Sequence, residues 1–428
     1  MNHVHRSVYS SVVRLALPFA FARLLWRSRR EPAYRRRWHE RLGLPRHLPS
    51  GGLWLHAVSV GEVNAALPLI EALLLQHPRI PLTVTTTTPT GSAQLRRRLG
   101  QRVAHCYLPY DTPGAVCRFL DRLRPRLGII METELWPNLF AFANHRGIPI
   151  VLANARLSEH SARGYARWRT LTTLTLSQLA HVGAQSASDG DRLKALGLPA
   201  DRLTVTGNVK FDAMPADPTA GILLRRRLGD RRPIWLAAST HPGEEEAVLA
   251  AHRALRQRYP TATLVLAPRH PQRFDEVAQL CRSQGWPSRR RSADDQADCA
   301  VYLADTLGEL PALMAAADVV FIGGSLTRVG GHNPIEPAQQ GKPVLFGPHM
   351  HNFAELRVQI LTAGAGSQVA DADALSRRLL ALFDDAVERH RMGQAGHALV
   401  MRHRGATART LALLTPYLDQ AAKSLEKC

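Results

Sequence analysis

From Gly51 onward, short β-branched or aliphatic runs alternate with segments whose apolar residues recur at helical spacing. Leu53 to Val58, Leu82 to Thr88, Val103 to Tyr107, Leu127 to Met131, Ile148 to Leu152, His181 to Ala184 and Leu203 to Thr206 read as strands. Between them Val63 to Gln76, Ser92 to Arg98, Gly114 to Leu123, Leu139 to Arg146 and Asp189 to Leu196 read as helices with charged outer faces. Such alternation predicts an α/β fold with a doubly wound parallel sheet. The pattern pauses over Asp212 to Gly221, where Pro215 and Pro218 sit among small residues. It restarts with strands at Ile234 to Ala238, Thr263 to Ala267, Val301 to Leu303, Val319 to Ile322 and Pro343 to Phe346. Two Rossmann-like domains are therefore expected, with an interdomain cleft at the carboxyl ends of their strands. The boundaries fall at 1–48 for an N-terminal segment, 49–212 for the first domain, 213–221 for a linker and 222–428 for the second domain. The final helix is free to pack back on the first.

Residues 1–50 break the pattern. They hold eleven Arg and two Glu, a net charge of +9 out of +20 for the whole chain. Val12 to Trp26 is mostly apolar but is interrupted by Arg14, Pro18 and Arg23. Neither an unbroken span of roughly 20 apolar residues nor a signal peptide with a small-residue cleavage site is met. A basic N-terminal membrane-anchor helix, lying in or dipping into an anionic leaflet, fits better. The basic block after it keeps the rest of the chain cytoplasmic. A basic amphipathic helix packed on the body of the protein is the plainer alternative. The five cysteines are scattered and include no CxxC pair, which argues against a disulfide framework and a zinc cage. The charge points to an anionic partner. Nucleic acid is disfavoured, because aromatics make up only 6% of residues and do not interleave with the basic clusters.

Polar residues at strand ends carry the candidate chemistry. Ser59 and Glu62 form S-x-x-E, either a capping box or a carboxylate placed as general base toward a substrate hydroxyl. Glu132 and Glu134 are two residues apart after the fourth strand; they point the same way if the strand continues, and one of them is expected to face a partner. Helix-start charge is the competing account, since Pro137 suits the first turn of the next helix. Lys210, in Gly207-Asn208-Val209-Lys210-Phe211-Asp212, is either a solvated surface lysine or a cation for a phosphate or carboxylate.

In the second half, Glu244 to Glu246 complement a helix dipole, while Ser239, Thr240 and nearby backbone N–H groups are candidates for anion binding. Pro268 and Arg269 offer a fixed bend and a guanidinium suited to phosphate. Gly323, Gly324, Gly330 and Gly331 precede Asn333, read as an N-cap, Pro334, read as the first helical residue, and Glu336. Such glycine density predicts backbone N–H groups free to meet a phosphate. The D-x-D spacings at Asp189 and Asp371 read as surface charge before helices, and no metal site is expected.

Six segments then occur in one order: His56 to Glu62, Met131 to Asn138, Asn154 to Ser158, Gly207 to Asp212, Ala267 to Pro271 and Gly330 to Pro337. In this the chain resembles bacterial 3-deoxy-D-manno-octulosonic acid (Kdo) transferases, over nearly its whole length. The resemblance implies a GT-B glycosyltransferase of the lipopolysaccharide core. Such an enzyme moves Kdo from CMP-β-Kdo to the lipid A precursor lipid IVA, with inversion, at the cytoplasmic face of the inner membrane. It implies Glu62 as base, with Glu132 and Lys210 supporting the transition state and Glu134 an alternative to Glu132. It also implies CMP binding by Pro268, Arg269, Leu307, Gly308, Glu309, Asn333, Pro334, Ile335 and Glu336. No cofactor or metal is implied, and the anionic membrane lipids become partners. Leu307, Ile335 and His351 depart from the usual family wording. A GT-B enzyme using a UDP-sugar on a membrane lipid is the alternative, distinguished by competition between CMP and UDP.

Overall fold

The computed structural model describes residues 2–29, 31–212, 218–293 and 299–425. Two compact units emerge: Met1–Ala213 with Arg404–Cys428, and Met214–His403. At the N-terminus this differs from the expected boundaries. Residues 31–48 belong to the first unit, because buried Glu40 accepts the Tyr107 N–H at 2.9 Å and Arg41 donates to the Thr87 carbonyl at 2.8 Å. The helix Ala406–Leu425 also belongs to it, and Asp212 accepts the N–H groups of Gly405 and Thr407 at its start. Of the expected linker, 213–217 lie outside the described residues, and a helix begins at Pro218.

In the first unit the strands are β1 (Leu53–His56), β2 (Leu82–Thr86), β3 (Ala104–Tyr107), β4 (Leu127–Met131), β5 (Ile150–Ala155), β6 (His181–Ala184) and β7 (Leu203–Val205). All pair parallel, in the order β3-β2-β1-β4-β5-β6-β7. The order reverses between β1 and β4, so the loops after these two strands meet at a topological switch point. Alternation within β1 feeds both layers of the core. Leu53 and Leu55 join Val63, Leu69 and Leu414 on one face, while Trp54 joins Phe119 and Ile130 on the other. A strand buried on both faces is apolar except where its polar groups find partners: Leu53-Trp54-Leu55 is a continuous apolar run, and the buried Thr85 hydroxyl of β2 hydrogen-bonds Trp54 Nε1 at 2.9 Å and His56 Nδ1 at 2.8 Å.

The second unit repeats the plan with β8 (Ile234–Thr240), β9 (Thr263–Pro268), β10 (Ser288–Arg290), β11 (Val301–Leu303), β12 (Val319–Ile322), β13 (Val344–Phe346) and β14 (Gly366–Gln368). Their order is β10-β11-β9-β8-β12-β13-β14, again parallel, with the reversal between β8 and β12. Strands β10 and β14 have no counterpart among the predicted ones. Ser288-Arg289-Arg290 and Gly366-Ser367-Gln368 lie at the sheet's two edges and carry no apolar run to announce them.

The N-terminal helix runs from Asn2 to Arg27 and packs one face on the first unit. Leu24 is buried there, and Phe21 lies 5.1 Å from the Trp38 ring and 5.5 Å from the Tyr110 ring.

Candidate active site

At the first switch point three carboxylates converge. Ser59 is the N-cap of the helix Val60–Gln76, but its side chain caps no backbone group. Instead the Ser59 hydroxyl donates to Glu62 Oε1 at 3.3 Å, and Glu62 Oε2 accepts the Val58 N–H at 2.8 Å. Neither half of a capping box is therefore formed: serine gives its proton to the carboxylate instead of accepting one from the helix, and the carboxylate reaches the N–H of Val58, one residue before the cap. Burial raises the Glu62 pKa to about 7, and the charges of Glu132 and Glu134 add to the rise.

Strand β4 stops at Met131, and Glu132 adopts a left-handed backbone with φ of 57°. A non-glycine residue held there stores strain, and such strain concentrates at functional sites. The turn sends Glu132 to Lys210, whose Nζ donates to Oε1 at 2.9 Å, with both side chains about one quarter exposed. One of the two acids thus faces a cation, as expected. Continued strand geometry, however, does not hold. Glu134 is pushed up to about 7, by burial first and by the Glu132 charge second. Thr133, between them, bonds with its hydroxyl to the Arg156 carbonyl and accepts the Arg156 N–H at 3.1 Å, which fixes the turn.

Lys210 sits in a short 3-10 turn, Val209–Asp212. The Asn208 side chain accepts the Lys210 N–H at 3.0 Å, and the Asn154 side chain accepts the Val209 N–H at 3.0 Å. Asn154 is itself left-handed, with φ of 57°, and fully buried. No role was assigned to it from the residues alone. Its contact lies 55 positions away in sequence and leaves no local signature.

The second unit carries the other predicted residues at the end of β9 and on the segments that follow β11 and β12. The Arg269 N–H donates to the Thr240 carbonyl at 3.0 Å, while its guanidinium is exposed and, among the described residues, forms no ion pair. Gly308 has φ of 87°, and exposed Leu307 precedes it. Glu309 bonds to the Thr306 hydroxyl and pairs with Arg291 at 2.8 Å. The hydrogen bond from Arg291 holds its carboxyl below the usual range. The helix Ile335–Gln339 starts one residue later than predicted, with Pro334 rather than Asn333 at the cap position. Asn333 still serves as an acceptor, taking the Ile335 N–H at 3.1 Å, and its amide donates to Glu336 at 3.1 Å. Burial raises the Glu336 pKa.

Two readings are corrected here. The N–H groups of Gly324, Ser325 and Leu326 are not free for a phosphate. They donate to the buried carboxylate of Glu244 at 2.6, 2.9 and 2.9 Å, and the His241 N–H joins them at 2.9 Å. Glu244 is thus an internal anion filling a backbone nest, not a helix-dipole partner at the surface. The glycines answer to protein as well: a Cβ on Gly323 would lie 2.4 Å from the Ser239 carbonyl oxygen. Asp189, in turn, is buried and accepts the Leu157 N–H at 2.7 Å, so it anchors the β5 loop instead of facing solvent. Three histidines complete the picture. His241 and His332 stack with centroids 5.1 Å apart and Nε2 atoms 2.9 Å apart, and His270 meets His241 edge-on at 5.3 Å. Burial, then the Arg269 charge, depresses His332 to about 4, which keeps it neutral near pH 7. Residues 29 to 91 positions apart form this group, so nothing local in the sequence announces it. Among the described residues, no group of three or more His, Cys, Asp or Glu is arranged to hold a metal ion.

Comparison with known proteins agrees with the sequence. The family model for 3-deoxy-D-manno-octulosonic-acid transferase matches residues 36–213. A 3-deoxy-D-manno-octulosonic acid transferase of Haemophilus influenzae is 41% identical over 423 residues, covering 97% of this chain and 99% of its own. One from Bordetella pertussis is 39% identical over 437 residues, with 96% and 99% covered. Among solved structures, the UDP-GlcNAc 2-epimerase of Neisseria meningitidis bound to UDP-GlcNAc aligns with a TM-score of 0.60 at 17% identity. It covers 85% of this chain and 100% of its own, a likeness of fold alone.

Proposed function

The chain belongs to the Kdo transferase family of GT-B glycosyltransferases, and from that membership we propose that it transfers Kdo from CMP-β-Kdo to the lipid A precursor lipid IVA, inverting the anomeric centre. The observation that carries the reading is Glu62. It is a partly buried carboxylate at a switch point, held by one N–H and one hydroxyl and raised to about 7. A base poised there is ionised often enough to accept a proton and basic enough to take it from a hydroxyl.

In this mechanism Glu62 removes the proton from the primary hydroxyl on the distal glucosamine of the acceptor. The oxygen attacks the anomeric carbon of Kdo, and the bond from that carbon to the phosphate oxygen breaks, so CMP leaves with the electron pair. Positive charge builds on the sugar as the bond loosens. Carboxylates nearby stabilise it, and Glu132, held by Lys210, is the one fixed in place. Glu134 serves as the alternative. Pro268, Arg269, Leu307, Gly308, Glu309, Asn333, Pro334, Ile335 and Glu336 bind CMP, with Arg269 offering an exposed guanidinium to phosphate. Glu309 contributes through the loop it fixes with Arg291. The reaction proceeds without a divalent ion, cationic side chains balancing the leaving phosphate. The protein works at the cytoplasmic face of the inner membrane, held there by its N-terminal helix, which is long and apolar enough over Val4–Arg27 to reach across a bilayer.

Mass spectrometry of a tetraacylated lipid A precursor, incubated with the protein and CMP-Kdo generated in the reaction, tests this. A gain of one or more Kdo masses is expected. No gain with donor present, together with protection of the protein by UDP but not CMP, would replace the reading with a UDP-sugar transferase.

A further inference from the structure

The N-terminal helix has two faces, and both are accounted for only if it lies flat. Its inward face is fastened to the first unit along most of its length. The Arg6 guanidinium sits 5.6 Å from the Phe142 ring centroid. Tyr9 hydrogen-bonds Asp111, and the Ser10 hydroxyl donates to the buried Asn138 side chain at 2.9 Å. Phe21 and Leu24 close the far end. From Arg6 to Leu24 the attachment extends roughly 27 Å at 1.5 Å per residue, close to the thickness of a bilayer's hydrocarbon core.

The outward face carries Val4, Val8, Val12, Leu15, Phe19 and Trp26. Their spacing of three, four and seven residues places them on one stripe, opposite the fastened face. Leu15 is 75% and Phe19 78% exposed, and nothing in the first unit covers them. No acidic residue occurs in the helix, while Arg14, Arg23, Arg27 and Arg29 are exposed along it and just beyond its end.

We propose that this helix is an in-plane anchor: it lies parallel to an anionic bilayer surface, the stripe sunk to the headgroup–acyl boundary and the opposite face kept on the protein. This rests on the membrane reading above and refines it. A helix set upright across the bilayer would carry Asp111, Asn138 and the loops fastened to it into hydrocarbon. Otherwise it would have to strip away from them, leaving the hydroxyls of Tyr9 and Ser10 without their partners in lipid. Lying flat preserves every one of those contacts. It also buries the stripe and brings the arginines to lipid phosphates, where basic residues gain from the negative surface potential.

The full-length chain is tested on vesicles with and without phosphatidylglycerol, and in cells with His5→Cys, an exposed position beside the stripe and not in it, compared against the unsubstituted chain. Expected are flotation with the anionic vesicles and labelling of position 5 by an impermeant maleimide in inverted inner-membrane vesicles but not in intact spheroplasts. Leu15→Glu with Phe19→Glu should lower partitioning by roughly 100-fold or more, since two buried apolar side chains are lost, while transfer in detergent and the unfolding midpoint stay unchanged. Labelling in intact spheroplasts would overturn the flat orientation and leave membrane anchoring standing. Absence of binding to any vesicle would overturn both. A dimer that the double substitution splits, with no vesicle binding, would assign the stripe to a second copy of the chain.

Discussion

Glu62 and Glu244 follow the same grammar. Each stands just after a parallel strand at the reversal point of its sheet, where a helix begins. Their surroundings differ in supply. Glu244 is fully buried and receives four backbone N–H groups, two on each oxygen. Glu62 receives one N–H and a long contact from a hydroxyl, with two other acids nearby. A carboxylate saturated with donors is a structural ion; one left short of them holds its proton near neutrality and can exchange it. The comparison separates architecture from chemistry more sharply than residue type or position does.

The strongest way to break it is Glu62→Gln. Transfer should fall by roughly 10²- to 10⁴-fold, the usual contribution of a positioned base, with CMP-Kdo binding unchanged by calorimetry. The sign of the stability effect sharpens the test. A carboxyl raised from its ordinary value to about 7 is more protonated in the folded chain than in the unfolded one between those values, so stability falls as pH rises through that window. The glutamine variant should therefore unfold at higher denaturant than the parent at pH 8, by about 1–2 kcal/mol. Lower stability would return Glu62 to a mere cap.

Next in size is Glu244→Ala, which leaves four buried N–H groups without an acceptor. We expect a loss of about 3 kcal/mol or more in the second unit. It would be read as faster hydrogen exchange over residues 323–331 and as weakened CMP binding. Unchanged exchange would mean the loop holds itself.

The pH profile follows. Transfer at saturating donor should rise as pH passes through about 7 and then level off, because the base works only when ionised. A rate that is flat from pH 5 to 8 would remove Glu62 from the role. Arg269→Ala should weaken donor affinity by roughly tenfold, as for a single charge-assisted contact, and spare the turnover of bound donor. Smallest of all is chelation: excess EDTA should leave the transfer rate unaltered, and a loss restored by Mg²⁺ would require a metal in the mechanism.

How much of this was legible beforehand depended on range. The strands from Leu53 to Phe346, the polar edge strand β10 excepted, announce themselves because apolar runs and helical periods are local properties. The pairing of Glu132 with Lys210 was legible only as an expectation that one acid meets a cation, since the two lie 78 positions apart. Glu244 was misread because a first-turn acid looks alike whether it faces water or a nest built 80 residues later. Asp189 hid its burial for the same reason: its partner is the Leu157 N–H, in another loop. The capping ambiguity at Ser59 and Glu62 turned on which oxygen accepts and which donates, a matter of a few ångströms that residue spacing does not encode.

The helix Ala406–Leu425 carries a consequence for biosynthesis. Its residues Ala406, Leu414, Leu418 and Ala421 lie in the same core cluster as Leu53, Val63 and Leu69. On the ribosome, chain growth makes the first unit's sheet early, yet one wall of that unit emerges only after all of 214–403 has been made. The inserted unit is continuous and can mature first, while the earlier-born one waits with apolar surface uncovered. The period of vulnerability to chaperones and proteases should therefore belong to the part of the protein that was synthesised first.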